Sequence, residues 1–427
     1  MDDFTYTLYD HSQRNKDLHF DDQLLKTIIE VRKPTSLLDI GAGVGWYCEA
    51  AVRLGVQKVI GIEKTPDIHQ MEVFPVIVSD AAITKLDYGT IDVVLCLEVA
   101  QCIAPERVNG LVENCCRNSN FIVWSSAQPG QACPTGINLQ PIQYWIEKFS
   151  KYGFIIDLEA TEKLRLSAKV EWLKANICVF RPMKITLISP QRNELYMLPF
   201  FYKHYDNLVD QYVIYDNTST DPQVFDLYKS NPKVRVETFD TGGKNSSVAK
   251  LNIRNNAYKS IISDWFIVCD IDEFIWHSNL RNYLADCHAK GITLPKISGY
   301  DMVSVERPTY DGTPLTSIIK RGIANPGYSK RAVFQGCVDI CYKTGAHYCE
   351  PKGKVLESPI EEIKLLHYKW VGYEYAFEKM LERSRRLSPE NIAHGWSFAE
   401  HDLIGGNNPQ RWRDGFEKMI KESTQVI

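Results

Sequence analysis

Short apolar runs that suit β-strands alternate along the chain with longer amphipathic segments that suit helices. In the first half the predicted strands are 36–40, 58–62, 74–78, 91–97 and 177–180, and the predicted helix 22–32 precedes them. In the second half the predicted strands are 185–188, 211–215, 233–238, 265–272 and 363–366. Because strands that alternate with helices form parallel sheets, the pattern predicts two α/β domains, residues 1–182 and 183–427. No spacer rich in glycine, serine or proline separates them.

Three glycines follow the first predicted strand, in the segment Asp39-Ile-Gly41-Ala-Gly43-Val-Gly45-Trp46. Glycines at these positions let the backbone turn tightly and approach a ligand, and the helix predicted to begin near Trp46 offers unpaired N–H groups. A dinucleotide-binding turn would have its third glycine at the position of Trp46. The spacing therefore favours S-adenosylmethionine over a nicotinamide dinucleotide.

Acidic residues follow the next three predicted strands. Glu63 ends the second strand about twenty residues past the glycines, where an acid can accept hydrogen bonds from the two ribose hydroxyls. Asp80 and Ala81 follow the third strand and suit the adenine amine, while Glu98 follows the fourth. Strand, glycines, acid, strand and acid in this order predict an adenosyl-cofactor site.

Four further motifs accompany these residues, namely Leu95–Ala100, Trp124–Gln131, Asn138–Trp145 and Asn176–Phe180. Together they resemble the class I S-adenosylmethionine-dependent methyltransferases, and the resemblance implies a Rossmann-like domain that binds this cofactor. The family usually has histidines at two places where this chain has Gln101-Cys102 and Gly136. Because imidazole is the commonest base near neutral pH, Glu98 becomes the candidate that accepts the proton of a methylated hydroxyl.

In the second half, the apolar run 265–268 leads into Asp270, Ile271 and Asp272. If the strand continues through these residues, its period of two points both carboxylates the same way. Two carboxylates on one side of a strand suit Mg²⁺ or Mn²⁺, which could carry a diphosphate. A turn that begins with two acids is the alternative.

A series of motifs in order resembles the GT-A glycosyltransferases, most closely the family-2-like group related to family 92. The motifs are Arg192-Asn193-Glu194, Tyr215–Asp221, Asp270–Phe274, Gly345–His347 and Leu366–Tyr368, followed by the basic segment Lys379–Arg386. The resemblance implies a nucleotide-diphospho-sugar transferase domain that transfers with inversion.

The same resemblance implies roles for individual residues. The implied substrate-binding residues are Arg192, Asn193, Glu194, Asp216, Asn217, Asp270 and His347, with Asp216 at the nucleobase and Asp270 at the ribose or metal. The implied metal ligands are Asp270, Asp272 and one histidine, for which we rank His367 before His347. The catalytic base stays open among Glu306, Asp301, Asp339 and Glu273, with Glu306 preferred.

Composition narrows the class of protein. The 427 residues have a net charge of −4, with 44% hydrophobic and 24% charged residues, so no basic footprint for nucleic acid is present. No run approaches the ~20 apolar residues that a membrane span needs, and the polar start lacks the apolar core of a signal peptide. Twelve scattered cysteines without a Cys-x-x-Cys pair fit a reducing compartment. We therefore expect a cytoplasmic protein. The fusion is similar to enzymes of large DNA viruses, which would act in the host cytoplasm.

These expectations combine into a bifunctional enzyme of glycan assembly. It would take a nucleotide-sugar donor and a glycan or glycoconjugate acceptor, and it would methylate a sugar hydroxyl. Three alternatives stay open: a glycosyltransferase with a methyltransferase-like binding module, a small-molecule methyltransferase with an inert second domain, and a dinucleotide oxidoreductase. The donor, the acceptor and the oligomeric state cannot be read from the sequence.

Overall fold

A computed structural model describes residues 7–13, 16–397 and 409–427. The chain divides into two compact units, Met1–Met183 and Lys184–Ile427. Within the described residues, no helix has both the length and the apolar character needed to cross a bilayer.

The first unit is an α/β unit built around one seven-stranded sheet. Its strands are β1 (Ser36–Ile40), β2 (Lys58–Glu63), β3 (Val76–Val78), β4 (Val93–Leu97), β5 (Ile122–Ser125), β6 (Phe154–Ile156) and β7 (Cys178–Pro182). Its helices are α1 (Leu8–Ser12), α2 (Lys16–His19), α3 (Asp22–Arg32), α4 (Trp46–Arg53), α5 (Val108–Asn118), α6 (Ile142–Ser150), α7 (Leu158–Ser167) and α8 (Glu171–Asn176).

The strand order of this sheet is β3-β2-β1-β4-β5-β7-β6. The five strands from β3 to β5 are parallel, and β7 runs antiparallel to both of its neighbours. The order reverses between β1 and β4, which is where open α/β sheets bind ligands. The glycine turn after β1 and the acid after β4 therefore lie at the same edge.

Apolar side chains cover both faces of this sheet in two separate clusters. One contains stacked aromatic rings, with Phe149 and Phe180 at 3.9 Å between ring centres. Helix α3 belongs to the other, and Asp21 caps its first turn by accepting a hydrogen bond from the Leu24 N–H. The strands read as continuous apolar runs because both faces are buried.

The second unit contains two five-stranded sheets and a two-stranded one. Its strands are β8 (Ile185–Gln191), β9 (Gln211–Asp216), β10 (Val234–Thr238), β11 (Trp265–Val268), β12 (Glu273–Trp276), β13 (Leu294–Ser304), β14 (Arg321–Ala324), β15 (Val333–Gln335), β16 (Val338–Asp339), β17 (Lys352–Gly353), β18 (Glu357–Val371) and β19 (Thr424–Gln425). Its helices are α9 (Leu198–Tyr205), α10 (Pro222–Ser230), α11 (Ser247–Asn256), α12 (Leu280–Ala289), α13 (Leu315–Ile318), α14 (Tyr373–Arg385), α15 (Pro389–Ala393) and α16 (Pro409–Glu422).

The first sheet of this unit has the order β10-β9-β8-β11-β15, and all of its strands except β15 are parallel. The carboxyl ends of β8, β9 and β11 therefore meet at one edge. The second sheet has the order β12-β18-β13-β14-β19. Strand β18 lies between β12 and β13 and places His367 opposite Glu273 on one side and Asp301 on the other.

Two sequence-based expectations about strands differ from the structure. Strand β11 ends at Val268, so Asp270 and Asp272 lie in the turn that leads to β12 and do not share a strand face. The period-of-two argument therefore fails for them. His367 does not end a strand either, because β18 is much longer than the predicted run 363–366 and continues to Val371.

Candidate functional site

The turn after β1 requires glycine at two of its three glycine positions. Gly41 has φ +82°, and an added Cβ would lie 2.2 Å from Cγ2 of Val99. Gly45 has φ +92°, and an added Cβ would lie 2.8 Å from Cβ of Phe74. A side chain at either position would both strain the backbone and clash. Helix α4 begins directly afterwards at Trp46, so the turn presents backbone to whatever lies at this edge.

Glu63 at the end of β2 is buried and is held by backbone donors. Its Oε1 accepts hydrogen bonds from the N–H groups of Lys64 and Thr65 at 2.8 and 2.9 Å and from the Thr65 hydroxyl. Its Oε2 accepts from the Gly43 N–H at 2.8 Å. A carboxylate oxygen has two lone pairs, so Oε2 retains capacity for a ligand hydroxyl.

Asp39, two residues before the glycine turn, is 3% exposed. Burial raises the pKa of its carboxyl to about 7, and the nearby charge of Glu63 adds to the effect. The thiol of Cys48 lies 3.9 Å from its Oδ2. Asp39 is therefore a group that changes charge near neutral pH, and a cationic ligand beside it would favour the ionised form.

The loop after β3 holds Asp80 and Ala81 in place. Oδ2 of Asp80 pairs with Arg107 at 2.8 Å and with Lys64 at 3.1 Å. Burial would raise the pKa of Asp80, but the Ala82 N–H and the two cations lower it below its usual value. The loop is also tied to α5, because the buried Asn114 amide donates to the carbonyl of Ala81.

Glu98 follows β4 with a left-handed backbone, φ +58°. Its two carboxylate oxygens accept hydrogen bonds from the Gln101 and Asn176 amides, each at 3.1 Å. For a non-glycine residue this conformation is uncommon, and it is frequent at ligand sites. The side chain is fixed by two neutral amides.

Two adjoining cavities open at this edge, and both are lined by Gly41, Leu97 and Glu98. The larger has a volume of about 730 Å³, within the range of ligand sites, and Asp39 lies in its wall. The smaller has a volume of about 80 Å³. Its lining includes Glu63, Asp80 and Ala81. The structure therefore brings all of the sequence-predicted cofactor residues to the same edge.

The larger cavity has residues that the sequence did not indicate. His19 and Trp172 line it, with their rings 5.7 Å apart, and Gln131 lies in the same wall. His19 lies before β1, and Trp172 lies between β6 and β7, so no local motif joins them. At the first of the two places where the family has a histidine, the Gln101 side chain is buried and Cys102 lies 3.6 Å from the Thr135 hydroxyl. At the second, Gly136, an added Cβ would lie 2.7 Å from Cδ2 of Leu139.

At the corresponding edge of the second unit, Asp272 is buried among cations. Its Oδ2 lies 3.0 Å from the Lys379 ammonium and 3.6 Å from the Arg383 guanidinium, and its Oδ1 lies 3.9 Å from Nε2 of His367. Burial would raise the pKa of Asp272, but Lys379, His367 and Arg383 together more than offset this and hold it well below its usual value. Glu194 shares Lys379, at 2.8 Å.

Asp270 has a different partner. Its Oδ1 lies 2.5 Å from the guanidinium of the buried Arg254. Burial would raise its pKa, but the charges of Arg254 and Lys330 lower it. Glu273 accepts a hydrogen bond from the Asp270 N–H and pairs with the buried Lys330. Each carboxylate of this turn is therefore already compensated by a cationic side chain.

These ion pairs do not fit the implied metal set of Asp270, Asp272 and His367. Among the residues that the structure describes, no group of three or more His, Cys, Asp or Glu side chains is arranged to hold a metal ion. Asp272 and His367 do lie together, but Asp270 faces Arg254. Mn²⁺ or Mg²⁺ would have to displace Lys379 from Asp272, so the expected metal centre is not formed.

His367 takes part in a polar stack. Its Nδ1 lies 2.7 Å from Oδ1 of Asp301, and Asn325 donates to the other oxygen of this carboxylate at 2.6 Å. The Tyr328 ring stacks on His367 at 4.0 Å and meets His347 edge-on at 5.2 Å. Tyr328 thus separates the two histidines that the sequence offered as alternatives.

Hydrogen bonds to the Asp216 carboxylate fix the shape of the loop after β9. The buried Asp216 carboxylate accepts hydrogen bonds from Ser219, from Gln191 and, at 2.7 Å, from the Tyr228 hydroxyl. These contacts hold the loop shape, and the predicted nucleobase contact of Asp216 would have to be made beside them. The Asn193 amide also stabilises this loop by accepting from the Thr220 N–H at 2.8 Å.

A small cleft at this edge collects charged side chains. It has a volume of about 30 Å³, room for about one water molecule. The charged residues that line it are Arg192, Glu194, Lys250, Asp270, Arg383 and Arg386, and the Asn217 amide also faces it. The sequence indicated the acids and Arg192, but Lys250 lies on α11, outside the quoted motifs.

The four candidate bases lie in different surroundings. Asp301 pairs with His367, Glu273 with Lys330, and Asp339 with Lys259 at 2.9 Å. Glu306 lies two residues beyond β13 and is exposed. The role of each stays a prediction.

Comparison with known proteins supports the methyltransferase prediction for the first unit. Residues 38–118 match the family model of a methyltransferase domain. No curated protein matches the chain. The match lies within the first unit and supports a Rossmann-like methyltransferase domain there, whereas nothing in the comparisons shows a glycosyltransferase domain.

Solved structures that resemble part of the chain include three methyltransferases. An S-adenosylmethionine-dependent methyltransferase from Archaeoglobus fulgidus is 19% identical, over 39% of this chain and 96% of its own, with a TM-score of 0.29. A TehB-like enzyme from Corynebacterium glutamicum is 14% identical, over 38% and 87%, with a TM-score of 0.29. Phosphoethanolamine N-methyltransferase 1 from Haemonchus contortus is 9% identical, over 64% and 87%, also with a TM-score of 0.29.

The pKa of Asp39 predicts a pH-dependent stability. Because the folded-state pKa of about 7 exceeds the unfolded value of ~3.9, the folded state favours the proton, and this contribution is lost as pH rises through 7. Asp39→Asn should therefore become more stable relative to wild type between pH 5 and pH 8, by up to ~3 kcal/mol, because about two pH units of that interval lie below the folded pKa and each contributes ~1.4 kcal/mol. Urea unfolding at both pH values measures the difference.

Asp92→Asn is the matched control. Hydrogen bonds from Thr35, and others from Ser36, lower the pKa of Asp92, so its stabilising contribution is lost only as pH falls through the acidic range. This variant should show no slope between pH 5 and pH 8. An equal difference between Asp39→Asn and wild type at the two pH values would contradict a raised pKa for Asp39.

Proposed function

We propose that the first unit transfers a methyl group from S-adenosylmethionine to a sugar hydroxyl. The observation that carries the proposal is the convergence of the glycine turn, Glu63 and the larger cavity at the reversal point of the sheet. The cofactor fits this edge because Gly41 and Gly45 leave the backbone accessible where a side chain would clash. When bound, it supplies an electrophilic methyl group.

The chain's own residues have separable roles in this proposal. Glu63 accepts hydrogen bonds from the ribose hydroxyls through Oε2, and the wall of Asp80 and Ala81 faces the adenine. Asp39 would face the cationic amino group in the methionine part of the cofactor, and this positive charge would keep its carboxyl ionised. These assignments are based on the two cavities. The smaller cavity would hold the nucleoside, and the larger would hold the rest of the cofactor and the acceptor.

Glu98 is our candidate proton acceptor. Its side chain lines both cavities, and its two carboxylate oxygens accept hydrogen bonds from the Gln101 and Asn176 amides. Glu98 would accept the proton of the acceptor hydroxyl as that oxygen takes the methyl group that the bound cofactor would supply. His19, in the wall of the larger cavity, is the second candidate for this proton.

Glu63→Ala tests the cofactor site. The change removes hydrogen bonds to a charged group, each worth roughly 1.5–3 kcal/mol, so binding of S-adenosylmethionine should weaken at least tenfold. Calorimetry measures the dissociation constant. Glu162→Ala, exposed on α7, is the matched control and should bind as wild type does. If Glu63→Ala binds as tightly as the control, Glu63 does not hold the ribose.

For the second unit, we propose transfer of a sugar from a nucleotide-diphosphate donor to a glycan or glycoconjugate. The observation that supports it is the cleft at the carboxyl ends of β8, β9 and β11, where the cations of Arg192, Lys250, Arg383 and Arg386 converge. Such a cleft suits a diphosphate because guanidinium and ammonium groups are strong donors to phosphate oxygens. The GT-A resemblance of the motifs points to the same ligand.

The proposed roles follow the position of each residue. Arg192 donates to the Asn217 carbonyl at 2.5 Å and so joins the ends of β8 and β9 around the cleft. Asp216 shapes the loop that would face the nucleobase. Glu306 is the proposed base, because it is exposed and its three rivals are ion-paired. The proton of the acceptor hydroxyl would pass to Glu306 as the new glycosidic bond forms, while the bond between the donor sugar and the diphosphate breaks and the nucleoside diphosphate leaves.

A thermal-shift panel of nucleotide sugars tests this second activity. A nucleotide sugar that fits should raise the midpoint of unfolding, and the matching nucleoside and sugar-1-phosphate should raise it less because each lacks half of the contacts. If no nucleotide sugar stabilises the protein while S-adenosylmethionine does, the reading of a small-molecule methyltransferase with an inert second unit is favoured. Stabilisation by NAD in place of S-adenosylmethionine would favour an oxidoreductase.

A further inference from the structure

Beside the cleft of the second unit, Lys379 already compensates the charge of Asp272 and of Glu194, and Glu194 lines the cleft. Lys379 on α14 is buried with its ammonium 2.8 Å from Glu194 and 3.0 Å from Asp272. The ammonium therefore occupies the place beside Asp272 where a divalent cation was expected.

Displacing these cations from the carboxylates is unfavourable. A divalent ion that bound Asp272 would have to expel Lys379, whose side chain is 13% exposed, and one that bound Asp270 would have to expel Arg254, which is 7% exposed. Lys379 would then keep only Glu194 as a carboxylate partner, and the buried Arg254 would lose its ion pair with Asp270, which is destabilising. The carboxylates are thus better matched to cationic side chains than to a metal ion.

The same cations have donor capacity for phosphate oxygens. An ammonium has three N–H donors, and Asp272 and Glu194 account for two of those of Lys379. Arg383 lies 3.2 Å from Glu194 and lines the cleft with Arg386, which donates to the Gly243 carbonyl. Because the cleft is small, a diphosphate enters only if these two arginines exchange some protein partners for phosphate oxygens.

We propose that Lys379 and Arg383 hold the diphosphate of a nucleotide ligand in place of a divalent cation, so that the second unit binds nucleoside diphosphates without metal. The proposal rests on the nucleotide-sugar function proposed above. It departs from the metal centre that the GT-A resemblance implies. The ligand class is a nucleoside diphosphate, free or as part of a nucleotide sugar.

Calorimetry of UDP, GDP and ADP with the full chain, in EDTA and in Mn²⁺, tests the proposal. The best-bound nucleotide should have dissociation constants within about threefold of each other in the two buffers, because its charge is met by side chains. Binding at least tenfold tighter in Mn²⁺ would overturn the inference and leave the proposed transferase function intact. Absence of binding in both buffers would overturn both.

Variants on α14 test whether side chains or Mn²⁺ supply the positive charge that meets the diphosphate. Lys379→Ala leaves Asp272 and Glu194 without their ammonium, so nucleotide binding in EDTA should weaken at least tenfold and Mn²⁺ should restore it. Arg383→Ala, at a partly exposed position, should also weaken binding in EDTA about tenfold and covers the case that Lys379→Ala does not fold. Arg385→Ala, exposed on the same helix, is the matched control and should bind as wild type.

Circular dichroism confirms that each variant is folded before binding is measured. Wild-type affinity of both Lys379→Ala and Arg383→Ala in EDTA would contradict the proposal. If only Arg383→Ala folds, its wild-type affinity is sufficient to contradict it.

Discussion

Compensation of buried carboxylates at the carboxyl edges of two parallel sheets is the constraint on which both candidate sites depend. An ionised carboxylate that leaves water needs donors or cations, or it takes up a proton. In the first unit, Glu63 and Asp39 use the first and third solutions, and Asp80 at the same edge is paired with Arg107 and Lys64. Backbone N–H groups hold Glu63, and burial shifts the pKa of Asp39 towards neutrality. The second unit uses cationic side chains, Lys379 for Asp272 and Arg254 for Asp270.

This difference explains why the two edges suit ligands of opposite charge. Around Glu63 and Asp39 the negative charge is met mainly by neutral donors, so a ligand with a cationic sulfonium and amino group is favoured there. In the second unit, the cations that meet Asp272 and Asp270 continue into Arg383, Arg386 and Lys250 along the cleft. The excess of donors at that edge favours an anionic ligand.

The sequence predicted those parts of the structure that local pattern decides. Three of these parts are neighbours along the chain: the glycine turn, the helix from Trp46 and the acid after β2. Their spacing is typical of one backbone geometry. The strand alternation was likewise readable because buried parallel strands are continuous apolar runs. The sequence alone therefore predicts the methyltransferase domain.

What the sequence could not show are pairings between distant segments. Lys379 is 107 residues from Asp272 along the chain, and His19 lies far from Trp172. The same limit produced the error at Asp270, because the apolar run before it gives no sign that β11 ends at Val268. Once the strand ends, the period of two no longer applies, and Arg254 becomes the nearest partner.

The central claim is that one chain carries two independent sites, one for an adenosyl cofactor and one for a nucleoside diphosphate. The most direct test is to titrate S-adenosylmethionine into protein already saturated with the best-bound nucleoside diphosphate, and then to reverse the order. We predict about one molecule of each ligand per chain, with affinities that do not depend on the order. If saturation with the diphosphate prevents S-adenosylmethionine from binding, the two ligands share one site and the account is wrong.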